Sequence, residues 1–159
     1  MFISNLLISC SLLDWKMSLK PIIYVGHADG ASRHTRNVSF VAWVVYSSSS
    51  QLQISGADCL RPTTNNIAEY SIVIKLLFEA ILYGIRHLVV RLDSQLVVSH
   101  LSGTYHVLNH VILRKFFKVK LFEQQFKYIT YEHIPRNLNH IYDAFSNYIL
   151  DRCIYHEHR

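Results

Sequence analysis

The apolar pattern of the chain changes its period partway along the sequence, and this change constrains the fold more than any other feature. Residues 21–28, 38–47 and 52–57 are short runs rich in β-branched and aromatic residues. Runs of this kind predict β-strands, and the Asp-Gly pair and the four serines that follow the first two runs indicate turns. The second run is apolar on both faces, as expected of a central strand. The three runs together predict an antiparallel meander.

The second part of the chain alternates between helical and strand-like patterns. Residues 65–83 are apolar almost all round and stop at Gly84, as expected of a largely buried helix with glycine just beyond its end. A strand-length run follows at 87–92, and a strand followed by a helix implies a crossover onto a parallel partner. The remaining predicted elements are helices at 94–101, 108–125 and 138–151 and a strand at 126–133.

The composition is that of an ordinary globular domain. The chain has 159 residues, of which half are apolar and 17% are charged, so one domain with a single core is expected. The formal charge of +5 favours a polyanionic partner. Cys10, Cys59 and Cys153 are far apart and odd in number, which indicates neither a zinc site nor a disulfide framework and is typical of a reducing compartment. These features favour an intracellular location, cytoplasmic or nuclear. We expect no membrane partner and favour a monomer, while the sequence leaves the oligomeric state open.

The two ends of the chain fall outside the domain that we expect at 21–152. Residues 1–20 contain an apolar run that is too short to span a bilayer and lacks the basic start of a signal peptide. We interpret them as a leader or a remnant of upstream coding sequence, with a secretory signal as the second option. Residues 153–159 are interpreted as a tail.

Four acidic residues stand in four short motifs, and each has a simple structural interpretation when taken alone. Asp29 in Ala-Asp-Gly could form a turn, and Glu69 could close a capping box with Asn66. Asp93 precedes a predicted helix and could favour its dipole. Asp143 could be an ordinary acid on a helix surface.

Taken together, these acids favour a shared site. Asp29 and Asp93 end two strands that can be neighbours in the predicted sheet, and ligands of open α/β sheets collect at such strand ends. Glu69, in the first turns of the preceding helix, could reach the same place. Clustered carboxylates need a cation, and oxygen ligands without Cys or His favour Mg²⁺ or Mn²⁺ over zinc. This pattern indicates metal-dependent hydrolysis of a nucleic acid backbone.

The order of these motifs over residues 21–151 resembles the type 1 ribonuclease H domain, in particular the copies in plant retrotransposon polyproteins. Residues 64–70, TNNIAEY, are similar to the Thr-Asn-Asn-x-x-Glu signature of that family. Residues 133–139, HIPRNLN, are similar to the His-Ile-Pro-Arg-x-x-Asn form of the plant copies. The resemblance implies an α/β, ribonuclease H-like fold. Its mixed five-stranded sheet would have three antiparallel and then two parallel strands, with helices on both faces.

The resemblance also implies a set of site residues. It makes Asp29, Glu69, Asp93 and Asp143 the ligands of two Mg²⁺ ions, with Mn²⁺ as a possible substitute. His133 stands where family members often carry a histidine that assists proton transfer or product release, although a histidine that ends a strand is more often structural. The implied substrate-binding residues are Gly30, Ser32, Thr64, Asn65, Asn66, Ser94, Gln95 and Asn139.

The implied function is endonucleolytic hydrolysis of the RNA strand of RNA–DNA hybrids. A second hypothesis is a catalytically impaired nucleic-acid-binding remnant, because Phe40, Val41 and Ala42 replace the glycines of most family copies and Tyr142 replaces a small residue. Another nuclease or a transposase of the same fold is a third. The predicted helix at 108–125 is basic, and its basic side chains are either phosphate contacts or a solvated face.

Overall fold

The structure, a computed structural model, describes residues 20–33 and 38–139. The strands are β1 (Tyr24–Arg33), β2 (Val38–Tyr46), β3 (Leu52–Leu60), β4 (His87–Leu92) and β5 (Tyr128–His133). The helices are α1 (Asn65–Leu82), α2 (Gln95–Leu101) and α3 (His110–Glu123), and a short 3-10 helix spans Arg136–Leu138. Of the last predicted helix, at 138–151, the part from residue 140 onward lies outside the described residues.

The five strands form one sheet in the order β3-β2-β1-β4-β5. β1 pairs with β2, and β2 with β3, in antiparallel fashion. β4 pairs in parallel with β1 on one side and with β5 on the other. The predicted α/β fold with a mixed five-stranded sheet is therefore confirmed.

Strand β1 is longer than the sequence pattern predicts. The expected exit into a turn at Asp29 and Gly30 does not occur, and the strand continues to Arg33. Asp29 faces Ala42 and Gly30 faces Val41 in the register with β2. Pairing with the long apolar run of β2 overrides the local preference of Asp-Gly for a turn, since strand formation depends on cross-strand neighbours.

The core forms where α1 packs on the sheet. Ile72, Val73 and Leu76 of α1 are fully buried in one cluster with Val41 and Val45 of β2. Fully burying each side chain of this kind contributes about 1.5–3 kcal/mol. The residues between them on β2, at positions 42 and 44, are also buried, so both faces of the strand are covered. The prediction that this strand is central is confirmed.

The bulky residues in β2 leave the strand regular. Val41 and Ala42 are buried and paired on both sides, and the only register shift between β2 and β3 lies further along, between Val45 and Tyr46. The close approach occurs instead at Gly56 on β3, where an added Cβ would clash with the ring of Trp43. Tyr142 lies outside the described residues.

Two further features of the described residues concern Cys59 and the character of the helices. Cys59 on β3 is disulfide-bonded, which the spacing of the cysteines did not indicate. Within residues 20–33 and 38–139, no helix has both the length and the apolar character needed to cross a membrane.

Candidate metal centre and substrate surface

Three carboxylates from three elements meet where β4 ends. The pairing of β1 with β4 stops at Ala28 and Leu92, so Asp29 and Asp93 are the next residues on two adjacent parallel strands. Adjacent strands lie about 4.8 Å apart, which places these two positions side by side. Glu69 reaches the same place from the first turns of α1.

One oxygen of each carboxylate lies within 4.8 Å of the oxygens of the other two. Asp29 and Glu69 are 8% and 6% exposed, and the side chain of Asp93 is 10% exposed. At an effective dielectric constant of about 20, two unit charges at this distance repel by about 3 kcal/mol. Three converging oxygen donors that repel one another fit a hard divalent cation. The triad of Asp29, Glu69 and Asp93 therefore has the geometry of a divalent metal site.

The structure also overturns two of the simpler interpretations, those of Asp29 and Glu69. Asp29 is not in a turn. Thr64 is the N-cap of α1 and accepts a hydrogen bond from the Ile67 amide at 3.4 Å, so Glu69 is not the capping-box residue. Ser94 caps α2 and accepts from the Val97 amide at 3.4 Å. The predicted fourth ligand, Asp143, lies outside the described residues and stays a prediction.

Arg136 lies beside the triad and was not among the predicted site residues. Its Nε lies 3.8 Å from Oδ2 of Asp93, and its side chain is 79% exposed. The arginine belongs to the His-Ile-Pro-Arg stretch, and that motif was the signal that could have identified it. The distance is long for an ion pair, and most of the guanidinium faces solvent.

His133 is the last residue of β5 and lies at the end of the sheet where the carboxylate triad is found. It is the register partner of Leu92, the residue before Asp93, and the next amide, that of Ile134, donates to the Leu92 carbonyl at 2.8 Å. The side chain of His133 is exposed. The predicted role of this histidine in proton transfer or product release stays a prediction.

Several predicted substrate-binding residues lie at the starts of α1 and α2. Asn65 is exposed and Asn66 partly exposed in the first turn of α1, which also carries Glu69. Gln95, the first residue of α2, is exposed, and its amide donates to Ser99 Oγ at 3.2 Å. Thr64 and Ser94, the two helix caps, have a structural role at these positions.

Asn139, at the end of the described chain, has an unusual environment. It is only 4% exposed, yet neither polar atom of its side-chain amide has a hydrogen-bond partner in the described part of the chain. An unsatisfied buried polar group costs about 1–3 kcal/mol. Gly30 follows Asp29 on β1, and the side chain of Ser32 is not among those described.

A buried hydrogen bond supports the helices around the site. Tyr70, next to Glu69 on α1, and His100 on α2 are joined by a bond of 3.0 Å between the phenol oxygen and Nδ1. Their rings stack with centroids 6.1 Å apart. Burial raises the pKa of Tyr70 and lowers the pKa of His100.

Burial, and then the charge of Arg91, lower the pKa of His27 on β1 to about 4.

Comparison with known proteins agrees with this geometry. A family model described as reverse transcriptase-like matches residues 27–149, which is most of the chain. The chain belongs to the reverse transcriptase-like family. Ribonuclease HI of Halobacterium salinarum is 33% identical over 123 residues, which are 77% of this chain and 62% of that protein. The bifunctional protein Rv2228c of Mycobacterium tuberculosis is 31% identical over 125 residues, 78% of this chain and 34% of that protein. The chain thus spans less than two thirds of the length of these relatives.

Solved structures identify this family member as a type 1 ribonuclease H domain. RNase H1 of Halobacterium salinarum superposes with a TM-score of 0.69 at 31% identity, covering 74% of this chain and 89% of that one. The N-terminal RNase H domain of Rv2228c gives 0.69 at 30% identity, covering 73% and 84%. LC11-RNase H1 in complex with an RNA/DNA hybrid gives 0.68 at 25% identity, covering 73% and 88%. The resemblance to plant retroelement copies stays a prediction.

Proposed function

We propose that this ribonuclease H domain is a metal-dependent endonuclease that hydrolyses the RNA strand of RNA–DNA hybrids. The observation that carries the proposal is the convergence of Asp29, Glu69 and Asp93, whose oxygens lie within 4.8 Å of one another. The solved complex of LC11-RNase H1 with an RNA/DNA hybrid supports the substrate class.

The three carboxylates would hold two Mg²⁺ ions, or Mn²⁺, together with Asp143 as the fourth ligand. Such ions supply a water activated for attack and stabilise the leaving oxygen of a phosphodiester. Asp29 and Glu69 are packed into the protein, which fixes their oxygens before substrate arrives. The exposed guanidinium of Arg136 lies beside the triad, where it can contact a substrate phosphate. His133 is the proposed residue for proton transfer or product release.

The polar groups at the helix starts would recognise the hybrid. Asn65, Asn66 and Gln95 carry amides, which both donate and accept hydrogen bonds. This is the chemistry needed to contact the 2′-hydroxyls of a wide, shallow minor groove. Asn139 is the proposed contact at the end of the described chain, where its side-chain amide has no hydrogen-bond partner among the described residues. Gly30 and Ser32 are the proposed contacts on β1.

Cleavage of a labelled RNA–DNA hybrid tests the proposal. We expect Mg²⁺-dependent cleavage by the wild-type protein and a loss of more than about a hundredfold in Asp93→Asn, since even outer-shell changes at metal sites cost up to that much. Asp58→Asn is the matched control, because Asp58 is a half-exposed acid on β3 that pairs with Lys75. Absence of metal-dependent cleavage, or cleavage that survives Asp93→Asn, would contradict the proposal.

Measuring both binding and cleavage of the hybrid, and cleavage of duplex DNA, separates the two other hypotheses. An impaired remnant would bind the hybrid in a salt-sensitive way without turnover. The regular pairing of Val41 and Ala42 gives no support to a distorted site in the described residues. Cleavage of plain duplex DNA in preference to the hybrid would indicate another nuclease or a transposase.

A further inference from the structure

The outer side of α1 carries a groove that the proposed function does not use. It lies between α1, α3 and the end of β3 and has a volume of about 540 Å³. Its apolar wall consists of Leu60, Ile74, Phe78 and Phe122. Phe78 remains 51% exposed, an unusual state for a phenylalanine in the middle of a helix. We call this feature the α1–α3 groove.

The α1–α3 groove faces away from the metal site. Residues of an α-helix advance by about 100° each, so Ile74, Phe78 and their neighbours form a stripe on the side of α1 opposite Glu69. The stripe that contains Glu69 also contains Val73, Leu76 and Ala80, all buried in the core. The groove and the carboxylate triad therefore occupy opposite faces of one helix.

Basic side chains surround the apolar wall. Lys75 extends from α1, and Arg114, Lys115 and Lys118 extend from α3. Lys75 is paired with Asp58, but none of the other three has an acidic side chain within ion-pair distance in the described part of the chain. The surface is thus apolar at its centre and positive at its rim.

Lys115 shows that the positive charges are crowded. Its ammonium donates to Ser71 Oγ at 2.9 Å, so the lysine is held against α1. Burial, and then the charge of Lys118, lower the pKa of Lys115. An anion bound at the rim would relieve this repulsion.

The aromatic side chains of the groove are poorly placed for stacking nucleic acid bases. The ammonium of Lys118 lies over one side of the Phe122 ring, 5.8 Å from its centroid. Phe78 and Phe122 are tilted by 32° with centroids 6.3 Å apart. Single-stranded nucleic acids bind by stacking their bases on exposed aromatic faces. An apolar side chain of a protein needs only a slot between such rings.

We propose that the α1–α3 groove docks an acidic segment of a partner protein. An aliphatic or aromatic side chain of that segment fills the slot beside Phe78, and flanking carboxylates pair with Arg114, Lys115 and Lys118. Buried apolar anchors give such an interface its affinity, and complementary charge at the rim gives it specificity.

Fluorescence anisotropy with the full chain tests the proposal. The probe is a labelled synthetic peptide in which glutamates flank leucine and phenylalanine, compared with a version that has glutamine in place of glutamate and one that has alanine at the apolar positions. We expect only the first peptide to bind. Reversing two exposed charges, Arg114→Glu with Lys118→Glu, should weaken binding by at least about tenfold.

Matched variants test whether binding occurs in the groove. Arg86→Glu with Lys127→Glu changes the net charge equally at exposed positions outside the groove and should leave binding intact. Phe78→Ala should weaken binding, whereas Phe117→Ala, another exposed phenylalanine, should not.

Several outcomes would overturn the proposal. These are no binding of the acidic peptide, an equal effect of both charge-reversed pairs, or no effect of Phe78→Ala. A single-stranded oligonucleotide could displace the peptide. If binding of that oligonucleotide also required Arg114 and Lys118, the groove would be assigned to nucleic acid. Self-association of the wild-type chain that Phe78→Ala abolishes would assign it to a second copy. None of these measurements depends on hybrid cleavage.

Discussion

Glu69 is the most buried residue of the triad and one of the proposed metal ligands. Glutamine keeps the shape of this side chain and removes the charge. We expect Mg²⁺ to raise the midpoint of thermal unfolding of the wild-type protein, because a ligand that binds the folded state stabilises it. Glu69→Gln should lose this response, as measured by scanning fluorimetry with added Mg²⁺ and with EDTA.

Glu132→Gln is the control for this experiment, because Glu132 is an exposed acid that pairs with Arg91 on the sheet. It should keep the wild-type response to Mg²⁺. Equal responses of wild type and Glu69→Gln would show that Glu69 does not hold the ion.

His100 makes stability depend on pH in a defined direction. Burial lowers its pKa below the ordinary value of 6.5, so below pH 6.5 the unfolded chain binds a proton more readily than the folded chain. The free energy of unfolding therefore falls as the pH drops below 6.5. His100→Asn removes the titrating group and should reduce this pH dependence in urea titrations. A difference between wild type and variant that stays constant with pH would contradict the expectation.

At the scale of elements, the Tyr70–His100 bond joins the helix that carries Glu69 to the helix that follows Asp93. Tyr70→Phe leaves Nδ1 of His100 buried without this partner. We expect a loss of about 1–3 kcal/mol in the free energy of unfolding, the cost of an unsatisfied buried polar group. Urea denaturation measures it.

The control for this variant is Tyr83→Phe, which removes an exposed phenol hydrogen bond to Gln53 of 3.2 Å. Water replaces the lost partner there, so the change should be within about 0.5 kcal/mol. Similar losses of unfolding free energy in the two variants would mean that burial does not increase the contribution of the Tyr70–His100 bond to stability.

At the scale of the whole molecule, the net charge of +5 should make hybrid binding sensitive to salt. We expect the logarithm of the affinity to fall linearly with the logarithm of the salt concentration, because each neutralised phosphate releases counterions. Arg136→Gln should lower this slope by about one if its guanidinium contacts a phosphate. Anisotropy of a labelled hybrid, with Ca²⁺ in place of Mg²⁺ to prevent turnover, provides the measurement.

Arg86→Gln is the matched control, because Arg86 is exposed at the other end of β4, before its first residue. Its slope should equal that of the wild type. An unchanged slope in Arg136→Gln would place Arg136 outside the contact surface.

The sequence by itself determined the elements and their types. Apolar period and β-branched content are local properties, so they predicted all five strands of the sheet and the three described α-helices. The signature around Glu69 and the position of Asp93 after β4 were equally local. The end of β1 was predicted wrongly, because the pairing of Asp29 and Gly30 with β2 is a contact between distant parts of the chain.

Only the tertiary structure decided which side chains meet. The register between β1 and β4 places Asp29 beside Asp93, and the packing of α1 on the sheet brings Glu69 to both. Arg136, the Tyr70–His100 bond and the α1–α3 groove also depend on contacts between residues far apart in sequence. The order of the elements made a meeting of the three acids plausible, but it could not fix these contacts, because the direction of a side chain is set by the packing of its element against the others.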